Sequence, residues 1–239
     1  MEPGRQGNRD RRLPDRIRAV VFDLDDTLVM STVNYGKFKS LVIDRIVSRG
    51  EDRASYGPME TVVRIISRYE SRLRDSGVSE REIRSRLSEL DRIMDEVELE
   101  RVSETVAIEG AGALLRTLRE RGAKIGVLTR GCHRYAEAAL RASGLDGLVD
   151  AVESRNSDSK PKPDPESYLR LVDALGVRKE ETVFVGDHLI DAQCASNAGV
   201  PFIGVLTGDV PEDDLVRGGS VRVFRDAGQL AQWFDELAF

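Results

Sequence analysis

The sequence predicts an α/β protein: a doubly wound, Rossmann-like parallel sheet with a small all-helical domain inserted into it. Three observations carry this. Short apolar runs alternate with amphipathic segments that end at glycine; the runs lack the polar alternation of half-exposed strands; and one long stretch carries helical periodicity alone. At 239 residues the chain can fill one large core and a smaller companion.

Residues 1–16 are rich in Arg, Gly and Asp and contain no apolar run, so a flexible tail is expected there, without signal-peptide or membrane character. Residues 17–30 open the core with the strand Ala19-Val20-Val21-Phe22. Residues 31–104 carry the inserted helices. Phe38, Leu41, Val42 and Ile46, then Val62, Ile65, Ile66, Tyr69 and Leu73, then Ile83, Leu87, Leu90, Met94 and Val97 recur at helical spacing. Gly50, Gly57-Pro58 and Gly77 divide them into about three helices, with Ser79 and Glu82 placed for a capping box. Residues 105–239 return to the core. Strands are expected at 125–128, 182–185, 202–206 and 221–224, and helices at 111–121, 135–143, 166–175 and 192–198. Gly122, Gly144, Gly176 and Gly199 stand where helix ends favour a left-handed residue, and Asp164-Pro165-Glu166 has the order of a helix start.

With 36 basic and 42 acidic residues the net charge is -6, which provides no global positive field for nucleic acid or an anionic membrane. A small-molecule partner is expected. The two cysteines, Cys132 and Cys194, have neither disulfide-like nor metal-like spacing, which suits a reduced, cytoplasmic setting.

Four segments, in chain order, are each expected just past a strand, where open α/β sheets bind ligands: Asp23-Leu24-Asp25-Asp26-Thr27, Leu128-Thr129-Arg130-Gly131, Ser159-Lys160-Pro161-Lys162-Pro163-Asp164 and Gly186-Asp187-His188-Leu189-Ile190-Asp191. Asp23 and Asp25 reach one site only if the chain turns between them. One carboxylate can then attack phosphorus while the other moves the proton of the leaving group. Two carboxylates facing a phosphate require a cation between them, and an oxygen-only ligand set of Asp23, Asp25 and Asp187 suits Mg2+. Thr129 and Lys160 are candidates to hold the phosphoryl oxygens, Thr129 at a helix start and Lys160 as a positive charge. Arg130 can grip a substrate anion or face solvent. Asp191 can orient a metal-bound water, pair with a lysine, or serve as a first-turn acid. Taken together, the segments point to a small phosphorylated metabolite as partner.

In order and placement the four segments resemble the motifs of the haloacid dehalogenase superfamily, from Arg18 to about Leu206. The likeness is to its phosphatase branch with a helical cap after the first motif, of the phosphoglycolate phosphatase-like type. The resemblance implies Asp23 as nucleophile, Asp25 as acid/base, Thr129 and Lys160 as phosphate holders and Asp187 as metal ligand, joined by the main-chain carbonyl of Asp25. It also implies that 31–104 is a cap that selects small substrates. Two departures stand out: Asp25-Asp26 where many relatives have Asp-Gly, and Thr129-Arg130 where many have Thr-Asn or Ser-Asn. The same constellation leaves a phosphomutase as the alternative, then a metal-independent dehalogenase, which has no use for Asp25, and a non-catalytic binding protein.

Overall fold

The computed structural model describes residues 12–57 and 60–239. Residues 1–11 of the expected tail and Pro58 of the expected Gly57-Pro58 break lie outside the described residues. The chain divides into two units, one formed by the chain up to Ser31 with Ser103–Phe239, the other by Thr32–Val102.

The larger unit contains strands β1 (Ala19–Phe22), β2 (Val29–Met30), β3 (Val106–Ala107), β4 (Lys124–Leu128), β5 (Ala151–Glu153), β6 (Thr182–Gly186), β7 (Phe202–Val205) and β8 (Arg222–Phe224). Its sheet has the order β5-β4-β1-β6-β7-β8 with every pairing parallel, while β2 and β3 pair antiparallel. Helices α1 (Tyr35–Val47), α2 (Val62–Asp75) and α3 (Glu80–Leu99) belong to the smaller unit. Helices α4 (Ala111–Glu120), α5 (His133–Ala142), α6 (Glu166–Ala174), α7 (Leu189–Ala198), α8 (Glu212–Gly218) and α9 (Ala227–Asp235) belong to the larger.

Register places the site. Phe22 lies level with Val127 of β4 on one side and Val185 of β6 on the other. The Asp23 N–H continues the ladder by donating to the Val185 carbonyl at 2.9 Å. Asp23, Thr129 and Asp187, which follow these three strands, therefore emerge along one edge of the sheet. The chain moves outward from β1 through β4 and β5 and then returns to β1's other side with β6. That reversal opens the crevice in which such sheets bind ligands.

Ala19, Val21, Phe184 and Phe202 pack with Tyr168 and Leu171 of α6 and Ala192 and Ala195 of α7 in one buried cluster. Burying each large apolar side chain stabilises the fold by roughly 1.5–3 kcal/mol. The Tyr168 hydroxyl, which would be costly to bury alone, shares a hydrogen bond of 2.7 Å with Thr182 Oγ1. Gly122, Gly144, Gly176 and Gly199 have positive φ at helix ends. Helix α7 begins three residues before the expected 192 because the His188 imidazole caps it, Nδ1 accepting the Ile190 N–H at 3.2 Å. At the start of α6, Asp164 Oδ1 accepts the Glu166 N–H at 3.0 Å.

Strands β2, β3 and β5 have no counterpart in the expected elements, since two or three residues are too few for apolar periodicity to register. Helix α8 buries Leu215 alone and so has no apolar stripe. Helix α9, by contrast, has the legible spacing of Ala227, Leu230, Trp233 and Phe234, all buried, and adds to the expected helices.

In the smaller unit Phe38, Val42 and Ile46 of α1, Ile65, Tyr69 and Leu73 of α2, and Ile83, Leu90, Met94 and Val97 of α3 form its core. Ser79 caps α3, its Oγ accepting the Glu82 N–H at 3.3 Å. The Glu82 carboxylate accepts from Arg86 Nε at 2.8 Å one turn on, and this ion pair takes the oxygen that a full capping box would turn back. Arg72–Glu51 and Arg68–Glu60 pairs, at 2.6 and 2.7 Å, tie loop residues to α2. Partly exposed as they are, each is worth about 0–1 kcal/mol.

Candidate active site

The chain turns directly after Asp23. Leu24 is fully buried and its carbonyl accepts the N–H groups of Leu28 and Val29 at 2.9 and 3.0 Å. Asp26 takes a left-handed conformation with φ 56°. A short polar side chain tolerates this, and its Oδ1 accepts the Ser31 N–H at 3.2 Å.

Lys162 occupies the centre of the site. It is buried, and its ammonium reaches Asp23 Oδ1 at 2.5 Å and Asp191 Oδ1 at 2.6 Å. Burial pulls its pKa down, but the Asp191 and Asp23 carboxylates more than offset this and hold it charged. Asp191 is completely buried on the first turn of α7, where its Oδ2 also accepts the His188 N–H at 3.2 Å. Asp187, just past β6, accepts a hydrogen bond of 2.9 Å from Thr27 Oγ1. The chain passes so close to it at Gly208 that a Cβ there would stand 2.0 Å from Asp187 Oδ2.

Carboxylate oxygens of Asp23, Asp187 and Asp191 lie within 4.8 Å of one another. Like charges at that separation repel by on the order of 3 kcal/mol per pair at a protein-surface dielectric. Burial first, and then the Asp23 charge, raises Asp187 to about 8; Asp191 is raised to about 7 by burial, against the pull of Lys162. One ammonium among three buried carboxylates leaves excess negative charge. The donor set is all oxygen and tightly grouped, which fits a small hard dication.

Asp25 is half-buried as a residue, with its carboxyl end enclosed. Burial first, then the Asp23 charge, raises it to about 7, and it accepts a hydrogen bond from the Tyr135 hydroxyl. Thr129, buried at the end of β4, uses Oγ1 to accept the Gly131 N–H at 2.9 Å. Arg130 is half-buried, and its charge, after burial and Lys162, helps to hold the His188 pKa below its usual value.

A family model for haloacid dehalogenase-like hydrolases matches residues 17–199. The chain belongs to the haloacid dehalogenase-like hydrolases. A phosphoglycolate phosphatase from Rhodospirillum rubrum is 28% identical over 218 residues, covering 90% of each chain. The pyrophosphatase PpaX of Listeria welshimeri is 27% identical over 197 residues, covering 80% of this chain and 83% of its own. In three dimensions the chain matches a hydrolase of this family from Deinococcus radiodurans, solved with bound phosphate and sodium, at a TM-score of 0.59 and 22% identity, covering 93% of this chain and 96% of that one.

In this haloacid dehalogenase-like hydrolase the structure brings Asp23, Asp25, Thr129, Asp187 and Asp191 to one edge of the sheet, but not Lys160. Lys160 is exposed, and Lys162 holds the position between Asp23 and Asp191. The reason lies in how the loop is tethered. Asn197 Nδ2 donates to the Pro163 carbonyl at 2.9 Å and the Cys194 thiol to the Asp164 carbonyl at 3.5 Å. Both donors sit on α7, the helix that carries Asp191, so the residue just before Pro163 is the one laid over the carboxylates. Thr27, Tyr135 and Gly208 also belong to the site without having been candidates. Thr27 stands inside the first acidic segment, which was its only signal; Tyr135 and Gly208 had none, because their partners are 110 and 21 residues away in the chain.

Proposed function

We propose that the chain is a magnesium-dependent phosphatase that hydrolyses a small phosphate monoester, in the cytoplasm, through an aspartyl phosphate on Asp23. The observation that carries this reading is Asp23 held by the Lys162 ammonium at 2.5 Å within a cluster whose carboxylates outnumber its cations. Asp23, Asp187 and the main-chain carbonyl of Asp25 would hold Mg2+, with Asp191 behind them. When bound, the ion supplies positive charge that offsets the repulsion between the carboxylates and the phosphate dianion.

The residues of the chain divide the work as follows. An oxygen of Asp23 attacks phosphorus, and the bond from phosphorus to the alkoxide breaks with its electron pair on the leaving oxygen. Neutral Asp25 protonates that oxygen as it departs. Its pKa near 7 leaves a large fraction protonated at neutral pH, as a general acid requires. Asp25, now ionised, takes a proton from water as the water attacks the aspartyl phosphate, and the bond to Asp23 breaks to regenerate the carboxylate. Lys162 keeps Asp23 oriented and offsets charge on the transferring group. The Thr129 hydroxyl, accepting from Gly131, has its own hydrogen to give a phosphoryl oxygen. Arg130 suits a second anionic group on the substrate, such as a carboxylate.

The names of the Rhodospirillum and Listeria relatives support two substrate classes, phosphoglycolate and pyrophosphate. Selection between them is assigned to the helical unit inserted between β2 and β3, in the role of a cap. A panel of phosphoglycolate, pyrophosphate and sugar phosphates, assayed with Mg2+ and with a chelator, tests the reading. Release of inorganic phosphate that stops on chelation is expected; an isomeric sugar phosphate as product would replace hydrolysis by mutase action. Asp23→Asn is expected to abolish turnover with the fold intact, and an active variant would overturn the nucleophile assignment.

A further inference from the structure

Tyr135 is fully buried on α5, and its hydroxyl donates to Oδ1 of Asp25, 110 residues away in the chain. Nothing in the packing of a parallel sheet demands a tyrosine here; a phenylalanine would fill the same volume. Three local features accompany the buried ring. The Tyr135 N–H donates to Cys132 Sγ at 3.4 Å, which caps the first turn of α5. Gly131 leaves the space the ring occupies, since a Cβ there would stand 2.7 Å from Tyr135 Cδ1. Ala136 and Ala139, on the same helix, are fully buried with it. The Ser31 side chain supplies a further hydrogen bond to the Asp25 carboxyl.

We propose that Tyr135 is a positioning residue for the acid/base step: its hydroxyl occupies Oδ1 of Asp25 and so confines the transferable proton to Oδ2. A neutral carboxyl group has one O–H, and an oxygen already accepting from a phenol is the poorer place for it. The proton is then presented by one oxygen in one orientation. On departure of an alkoxide, the bond from phosphorus to oxygen breaks with its electron pair on oxygen, and that oxygen takes the proton from Oδ2. In the second half, the water that attacks phosphorus returns a proton to the same oxygen. Tyr135 keeps its own proton throughout.

The proposal rests on the phosphatase reading, and leaving-group dependence separates the two. An alkoxide needs a proton as it leaves, whereas p-nitrophenolate leaves without one. Tyr135→Phe keeps the ring and removes only the hydrogen bond. It is expected to lower kcat/KM for an alkyl phosphate such as phosphoglycolate about ten-fold more than for p-nitrophenyl phosphate, a fraction of what general acid catalysis supplies. In an Asp25→Asn background the same change is expected to add no further alkyl-selective loss. Equal losses for both esters would mean that Tyr135 merely supports the fold, and no loss for either would make its hydrogen bond irrelevant; each result overturns the proposal. If the wild-type chain releases phosphate with Mg2+ from neither of these esters nor from any other member of the panel, the phosphatase reading falls and this proposal with it.

Discussion

Lysines 160 and 162 show how fine the residue scale is. Both are lysines followed by proline, and both can be written into a motif of the same form, yet one is exposed and the other is enclosed by two carboxylates. Lys162→Met is expected to lower kcat by on the order of 10²–10³-fold, the range for losing one preorganised charge at a transition state. Lys160→Met should stay near wild type. Steady-state kinetics on the two variants decide the matter, and the reverse pattern would restore Lys160. Asp26 is a second case at this scale: it is a non-glycine residue in the left-handed region, which a short polar side chain tolerates.

At the scale of elements, the helices of the smaller unit depend on caps as well as on apolar stripes. Ser79 satisfies one of the first N–H groups of α3, and its partner Glu82 is engaged with Arg86. Ser79→Ala is expected to cost about 1 kcal/mol of stability, measurable by urea denaturation, while Glu82→Ala should cost only a few tenths. Comparable losses from both would indicate a full capping box in solution. In the larger unit the strand ends matter most. The level register of Phe22, Val127 and Val185 brings residues separated by more than a hundred positions to one line.

For the whole molecule the dominant electrostatic fact is a buried excess of carboxylates. Asp25, Asp187 and Asp191 are all raised from 3.8, to about 7, 8 and 7, chiefly by burial. Folding therefore favours their protonated forms. That contribution to stability is complete below the unfolded value of 3.8 and is lost as pH rises through about 7–8. A dication bound to the folded state counters the loss, and it competes with protons for the same oxygens. Without metal, Tm is expected to fall between about pH 6 and about pH 9, with the rise on adding Mg2+ largest at the upper end. Thermal melts with Mg2+ or a chelator across that range check this, and a rise that did not change with pH would speak against metal binding at these carboxylates.

Much of this was already legible in the chain. The apolar runs that became β1, β4, β6 and β7, the helical stretch that became α1 to α3, and the acidic segments after β1 and β6 are local patterns, and local patterns survive in sequence because backbone geometry imposes them residue by residue. What folding alone settled was partnership across the chain: Lys162 over Lys160, Tyr135 against Asp25, Thr27 and Gly208 against Asp187. These depend on register between strands and on how a loop is tethered to a helix, and differences of a single ångström decide them. Periodicity and spacing carry no record of such distances.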